Sequence, residues 1–266
     1  MDKHPGHSLI IALSMYSILP MPRVDWREDN MRWSLACLPV VGGLAGLLLG
    51  GWCWLAVSRS MAPLLFAAGA VLLPLLLSGG FHMDGFLDAA DGIFSRRDRE
   101  TSLQIMKDPH CGPFAVLCGG ALLLVNAGSW SQLLSCFALL PAACLTPLAA
   151  RSLTVMAGSR LPYASTSTLG ALFADRAAKG VKKAGVAEAA LSLLLLPAAG
   201  LLAGGFPALC VAAMAVAAAL LWYVYFRRLT LRRFGGVTGD LLGFLVQTEE
   251  LFLLLGLALG SLFIPQ

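Results

Sequence analysis

The sequence predicts an all-α protein, a polytopic membrane helical bundle of about seven transmembrane helices with a short N-terminal interfacial or re-entrant helix. Three observations carry that prediction. Hydrophobic residues make up 58% of the chain and charged residues only 13%, roughly half the charged share of an ordinary soluble domain. Apolar runs of about 20 residues recur, the length a helix needs to cross a hydrocarbon layer about 30 Å thick. Finally, 17 of the 19 Lys and Arg residues fall in four segments that alternate with those runs.

The predicted spans cover residues 35–57, 61–80, 113–128, 132–157, 186–204, 206–226 and 240–262. They are continuous and rich in Leu, Ala and Gly, unlike the alternating segments of about ten residues in a membrane barrel. If the spans alternate in direction, segments 1–34, 81–111, 158–185 and 227–239 share one side, and the opposite connections hold only Arg59. Lys and Arg collect in cytoplasmic loops, so the N-terminus is expected inside and the C-terminus outside a bacterial inner membrane. The net charge of +4 then reports orientation, with attraction to anionic lipid as a side effect, and no nucleic-acid-binding patch is present.

Ser8 to Leu19 follow Lys3 as a signal peptide would, but they end at Pro20-Met21-Pro22-Arg23 without a small-residue cleavage site. The stretch is also short for a span, which favours an interfacial or re-entrant helix. The seven cysteines include no close pair resembling a metal knuckle or redox motif, and they read as small buried side chains. Residues 1–266 are expected to form a single integral membrane domain, with no soluble second domain, long linker or internal repeat apparent in the sequence.

Against this apolar background the acidic residues stand out. None occurs between Asp29 and Asp84; then Asp84, Asp88 and Asp91 arrive within one short segment. If the second span continues as a helix, spacings of i, i+4 and i+7 gather the three carboxylates within an arc of roughly 60°, and Ser95 and Arg99 extend the stripe. Like charges at a membrane boundary call for a cation, and hard oxygen donors suit Mg²⁺ or Mn²⁺. Gly85 and Gly92 would admit a nucleotide or a neighbouring helix close to the backbone. The bland alternative is a solvated acidic face, which the preceding apolar span and the following Lys107-Asp108 argue against.

Other residues carry two readings each. His82 would project from nearly the opposite side of an ideal helix, as a base or ligand contact or as an interfacial hydrogen-bonded histidine. Arg96, Arg97 and Arg99 would orient phosphates or serve topology alone. The turn Arg232-Arg233-Phe234-Gly235-Gly236-Val237-Thr238-Gly239-Asp240 would accommodate phosphate or simply end one helix and begin the next, with Asp240 as a cap.

The motifs Gly79-Gly80-Phe81-His82-Met83-Asp84-Gly85, Asp88-Ala89-Ala90-Asp91-Gly92, Ile105-Met106-Lys107-Asp108 and Gly235-Gly236-Val237-Thr238-Gly239-Asp240 together resemble the cobalamin synthase family, the adenosylcobinamide-GDP ribazoletransferases. The likeness extends to Leu38-Pro39-Val40-Val41-Gly42 and Leu161-Pro162-Tyr163-Ala164. It implies transfer of adenosylcobinamide phosphate from adenosylcobinamide-GDP to α-ribazole or its 5′-phosphate, with release of GMP and a divalent metal. It also implies roles: Asp84, Asp88, Asp91, Asp108 and Asp240 toward metal; Asp91 or His82 as proton acceptor, with Lys107 neutralising phosphate; and Ser95, Arg96, Arg99, His110, Gly236 and Thr238 toward substrate. Membrane lipid and other nucleotide-loop assembly enzymes are the further partners expected, and the sequence leaves the oligomeric state open.

Three positions depart from the family pattern. His110 within Asp108-Pro109-His110-Cys111-Gly112-Pro113 replaces an expected Arg, Ser165 follows Ala164 where the family carries Arg, and Gln247 stands for an expected Glu beside Glu249 and Glu250. Contacts to phosphate or corrinoid are therefore expected to be redistributed. A CDP-alcohol phosphotransferase would place Arg inside the acidic motif, where this chain has Gly85-Phe86-Leu87-Asp88-Ala89. An ion-coupled transporter would set its acids near the midplane rather than at one membrane face.

Overall fold

The computed structural model describes residues 5–26, 31, 33–164 and 179–264; Lys3, Arg27, Arg32, Ser165 and Arg176 lie outside the described residues. The described chain is helical, and its single β-type pairing is an isolated parallel bridge between Tyr163 and Val237. The helices are α1 (Pro5–Tyr16), α2 (Leu38–Ser58), α3 (Pro63–Leu77), α4 (Phe81–Phe94), α5 (Arg99–Ile105), α6 (Pro113–Leu133), α7 (Leu140–Cys144), α8 (Thr146–Arg160), α9 (Lys179–Arg233) and α10 (Gly239–Ser261). Short 3₁₀ turns precede α2 and α7.

Among the described residues five helical segments are long and apolar enough to cross a membrane, and α3 with α4 makes a sixth, bent span. The longest, α9, is not one rod. An unbroken helix of its 55 residues would run about 80 Å, far beyond any bilayer core. At Gly205, φ is 66° and ψ −157°, and a Cβ on Gly200 would lie 2.7 Å from the Ala208 carbonyl oxygen. The chain therefore doubles back there, and the two arms match the two spans expected at 186–204 and 206–226, bringing the crossings to seven.

The second expected span is altered. Pro74 lies within α3, Gly79 and Gly80 take φ values of 59° and 79°, and the chain turns by 95° into α4. The acidic segment thus does not continue α3 in line; it forms a separate helix packed along α6 and α10, with Leu87 against Gly119 and Asp91 against Gly112 and Ala115. At its far end the expected stripe breaks too, because α4 stops at Phe94 and Arg99 starts the separate helix α5.

Two spans form the interior. The segment Phe137–Arg160 and α10 are 72% and 67% buried within the protein, against 28–33% for the other three long segments. The outer helices leave Leu47, Trp54, Leu124, Leu202 and Leu221 exposed, as lipid-facing side chains require. Small residues let the helices approach: a Cβ on Gly42 would meet the Pro147 carbonyl at 2.5 Å, and one on Gly256 would meet Ala215 at 2.9 Å. Helix α1 docks Ala12, Leu13 and Tyr16 against Leu35, Leu38, Val41 and Val155, so it is packed into the end of the bundle that carries the acids. The ends of α6 and α10 meet at the other end through Gln132 Nε2, which donates to Ser261 Oγ at 3.2 Å.

Candidate active site

The site begins at the crossing of α4 and α10. A Cβ on Gly85 would stand 3.1 Å from the Asp240 Cα, and one on Gly243 would stand 3.1 Å from the His82 carbonyl oxygen. The expectation that Gly85 admits a neighbouring helix is met, and the helix is α10. This approach gathers the acids: Asp88 interacts electrostatically with Asp84, Asp240 and Asp91, and Asp240 interacts with Asp84 and Lys107. Asp84 is exposed, while Asp88 and Asp240 are half-buried.

The glycine-rich turn is held on the other side by main chain. Val237 N–H donates to the Pro162 carbonyl and Ala164 N–H donates to the Val237 carbonyl, both at 2.9 Å. A Cβ on Gly236 would lie 2.8 Å from Ala164 N, so only hydrogen fits there. Thr238, not Asp240, caps α10: its Oγ1 accepts from Leu241 N–H at 3.1 Å and lies 3.5 Å from Asp240 Oδ2. That leaves the Asp240 carboxylate open toward α4.

Lys107 interacts with Asp240, and two arginines lie against the glycine-rich turn and the end of α4. Arg99 packs its guanidinium on Gly235, where φ is 72° and a Cβ would stand 2.5 Å from Nη2. Arg233 Nη2 donates to the Gly92 carbonyl at 3.4 Å. Arg99 is set by α5, whose N-cap Asp98 accepts from Glu100 and Thr101 N–H at 3.1 and 3.0 Å; these bonds, led by that of Thr101, hold the Asp98 carboxyl below the usual carboxylate range. Arg96 is exposed with φ 53°, and Ser95 Oγ donates to the Gly92 carbonyl at 2.9 Å, so Ser95 serves the end of α4.

Several expected residues have other surroundings. Asp91 does not share the open face of Asp84 and Asp88: it is 7% exposed, and its oxygens accept from Gly112 N–H at 2.7 Å and Ala115 N–H at 2.9 Å. His82 is 3% exposed, stacked on Tyr16 with ring centroids 5.9 Å apart and edge-on to Phe81 at 5.6 Å. Neither ring nitrogen has a hydrogen-bond partner among the described residues. Asp108 pairs with His110 at 2.7 Å, and both are exposed; the His110 backbone and ring hydrogen bonds hold the Asp108 carboxyl below its usual range.

Among the described residues no three His, Cys, Asp or Glu side chains converge as a ready-made metal cage. Mg²⁺ does not require one, because it is usually held by one or two carboxylates, substrate phosphates and water. Asp84 and Asp240, open on facing helices beside Asp88, have the hard oxygen chemistry of such a partial site. Sequence reasoning missed a second polar group beneath it: Arg151 pairs with Glu250 and donates to the Pro147 carbonyl at 3.1 Å. This pair lines a cavity of about 50 Å³ together with Asn126, Thr146 and Gln247. An arginine and a glutamate inside two apolar spans were the available signal.

Comparison with known proteins identifies the family. The chain is 34% identical over 253 residues to an adenosylcobinamide-GDP ribazoletransferase of Lachnoclostridium phytofermentans, covering 95% of this chain and 92% of the relative. It is 36% identical over 256 residues to the protein of that name from Pseudomonas savastanoi pv. phaseolicola, covering 94% and 98%. It is 32% identical over 275 residues to that of Halalkalibacterium halodurans, covering 94% and 95%. No solved structure matches the chain. The family model for Cobalamin-5-phosphate synthase matches residues 8–258, nearly the whole bundle and every acid of the α4–α10 crossing, and the chain belongs to that family.

Proposed function

We propose that this protein transfers the adenosylcobinamide phosphate moiety of adenosylcobinamide-GDP to α-ribazole or its 5′-phosphate, releasing GMP in the assembly of the cobalamin nucleotide loop. The observation that carries this reading is the meeting of Asp84 and Asp88 with Asp240 across a glycine-mediated helix crossing, with Lys107 beside Asp240 and with Arg99 on Gly235 and Arg233 on the Gly92 carbonyl. Acids alone would repel a diphosphate, and bases alone would bind it without activating a nucleophile. The combination suits phosphoryl transfer, in which positioning and charge neutralisation do most of the work.

In the proposed step a ribazole ribose hydroxyl attacks the phosphorus on the cobinamide side, a new P–O bond forms, and the bond to the GMP phosphate breaks. A Mg²⁺ or Mn²⁺ ion held by Asp84 and Asp240, with Asp88 beside them, would supply charge neutralisation when bound. Lys107 and Arg99 neutralise the departing GMP phosphate. Asp88, lying among the other acids but not closed off, accepts the hydroxyl proton; His82 and Asp91 are too enclosed to take that part. Arg96 and Thr238 flank the phosphate path, and exposed His110 stands where incoming substrate would pass. The positive-inside rule puts this end of the bundle in the bacterial cytoplasm.

The test is GMP release by the purified protein in lipid or detergent with adenosylcobinamide-GDP, α-ribazole and Mg²⁺. Asp84→Asn, Asp88→Asn and Asp240→Asn are each expected to lower turnover about 100-fold or more, and removal of divalent metal by a chelator is expected to abolish it. Wild-type protein that releases no GMP would refute the activity; normal turnover in all three variants would refute the site.

A further inference from the structure

The segment 106–112 carries Lys107, Asp108 and His110 from the short helix α5 to the start of α6, and both of its ends stand on the last turns of α4. At one end Met106, 3% exposed, lies under Gly92, where a Cβ would meet its side chain at 2.6 Å. At the other end Asp91 holds Gly112 and Ala115 by their backbone N–H groups. Gly112 is the N-cap residue of α6 and has no side chain to offer, and Pro113 follows it without an N–H. Asp91, 21 residues earlier in the chain, therefore supplies a cap across space, with a carboxylate placed favourably at the positive end of the helix.

We infer that Asp91 is a positioning residue, neither metal ligand nor proton acceptor, which through Gly112 and Ala115 fixes the 106–112 segment so that Lys107 faces Asp240 and the phosphates. The inference rests on the transfer reaction proposed above. The geometry turns the carboxylate inward: it is 7% exposed and each oxygen accepts a backbone N–H of the start of α6. Gly112 is fitted to it, since a Cβ there would stand 2.5 Å from Asp91 Oδ1. Lys107 is the reporter of the arrangement, because it reaches Asp240 only from this segment.

The experiment compares wild type, Asp91→Asn, Gly112→Ala and the double variant in lipid with Mg²⁺, reading GMP release and backbone hydrogen exchange over 107–116. Asparagine keeps one acceptor oxygen but turns an N–H₂ toward a backbone N–H, so one bond is lost in either orientation. Expected are a fall in kcat of about 100-fold for Asp91→Asn and about 10-fold for Gly112→Ala, and a double variant no worse than Asp91→Asn alone. The Mg²⁺ concentration for half-maximal rate stays within about twofold in all forms, while exchange at Gly112 and Ala115 speeds up about tenfold or more. A shift of about tenfold in that Mg²⁺ concentration with unchanged exchange in Asp91→Asn would make Asp91 a metal ligand and overturn the inference. Wild-type turnover in Gly112→Ala would overturn it as well. Should wild type itself release no GMP, the transfer reading falls first and the assigned purpose of the anchor with it.

Discussion

Two groups of charged side chains in this protein lie in settings that physical chemistry treats differently. At the bundle end the acids of α4 and α10 remain open beside basic groups, whereas Arg151, 2% exposed, is shut inside the helices with Glu250 as its partner. Removing one member of a buried pair strands the other charge in a poorly solvating medium, which costs about 3–5 kcal/mol, while replacing both by apolar groups is often neutral. Glu250→Leu is therefore expected to lower stability by about 3–5 kcal/mol and Arg151→Met with Glu250→Leu to recover most of it, as measured by unfolding in detergent. Equal losses in the single and double variants would show that the pair contributes no coupling. Gln247 lines the same cavity, so the departure from the expected Glu lies beside a carboxylate already supplied by Glu250.

At the scale of elements, two interruptions shape the site and the bundle. The turn at Ser78–Gly80 redirects the chain by 95° into α4, and this makes the close approach to α10 possible at Gly85 and Gly243. The turn at Gly205 folds α9 into a hairpin at the opposite end. Its φ of 66° and ψ of −157° belong to a region open essentially to glycine alone. Gly205→Ala is expected to cost about 1–3 kcal/mol of stability and to leave GMP release unchanged, because the residue is remote from the acids. Loss of turnover without loss of stability would show that the hairpin communicates with the site. The lengths of the apolar runs announced both arms of α9 and the position of their boundary. It did not announce the bend before α4, since two adjacent glycines also fit a helix end followed by a loop.

For the whole molecule, the order of spans and the distribution of charge make one prediction. Helices α2, α6 and α10 all start at the end bearing the acids, and Arg96, Arg97, Arg99, Lys107, Arg160 and Arg227 to Arg233 flank that end. With those groups in the cytoplasm, a periplasm-dependent phosphatase fused after Gln266 is expected to be active and one fused after Lys107 inactive. The reverse pattern would turn the protein over and place the acids outside.

The sequence by itself determined the membrane class and the near-boundaries of most apolar spans, and it singled out the segment from Asp84 to Asp91 and the turn before Asp240 as chemically unusual. Those follow from composition, run length and local spacing, which are properties of neighbours in the chain. Tertiary structure alone decided which acids face one another. Helical spacing put Asp91 on one face with Asp84 and Asp88, but a shared face says nothing about what packs against each turn. The start of α6 covers the turn of Asp91 and uses its carboxylate as a cap, while α10 approaches Gly85 and brings Asp240 to Asp84 and Asp88. Likewise His82 projects away from the acids, as its spacing required, but its aromatic cover comes partly from Tyr16, 66 positions earlier in the chain. Long-range packing set those partners, and no local pattern of residues encodes it.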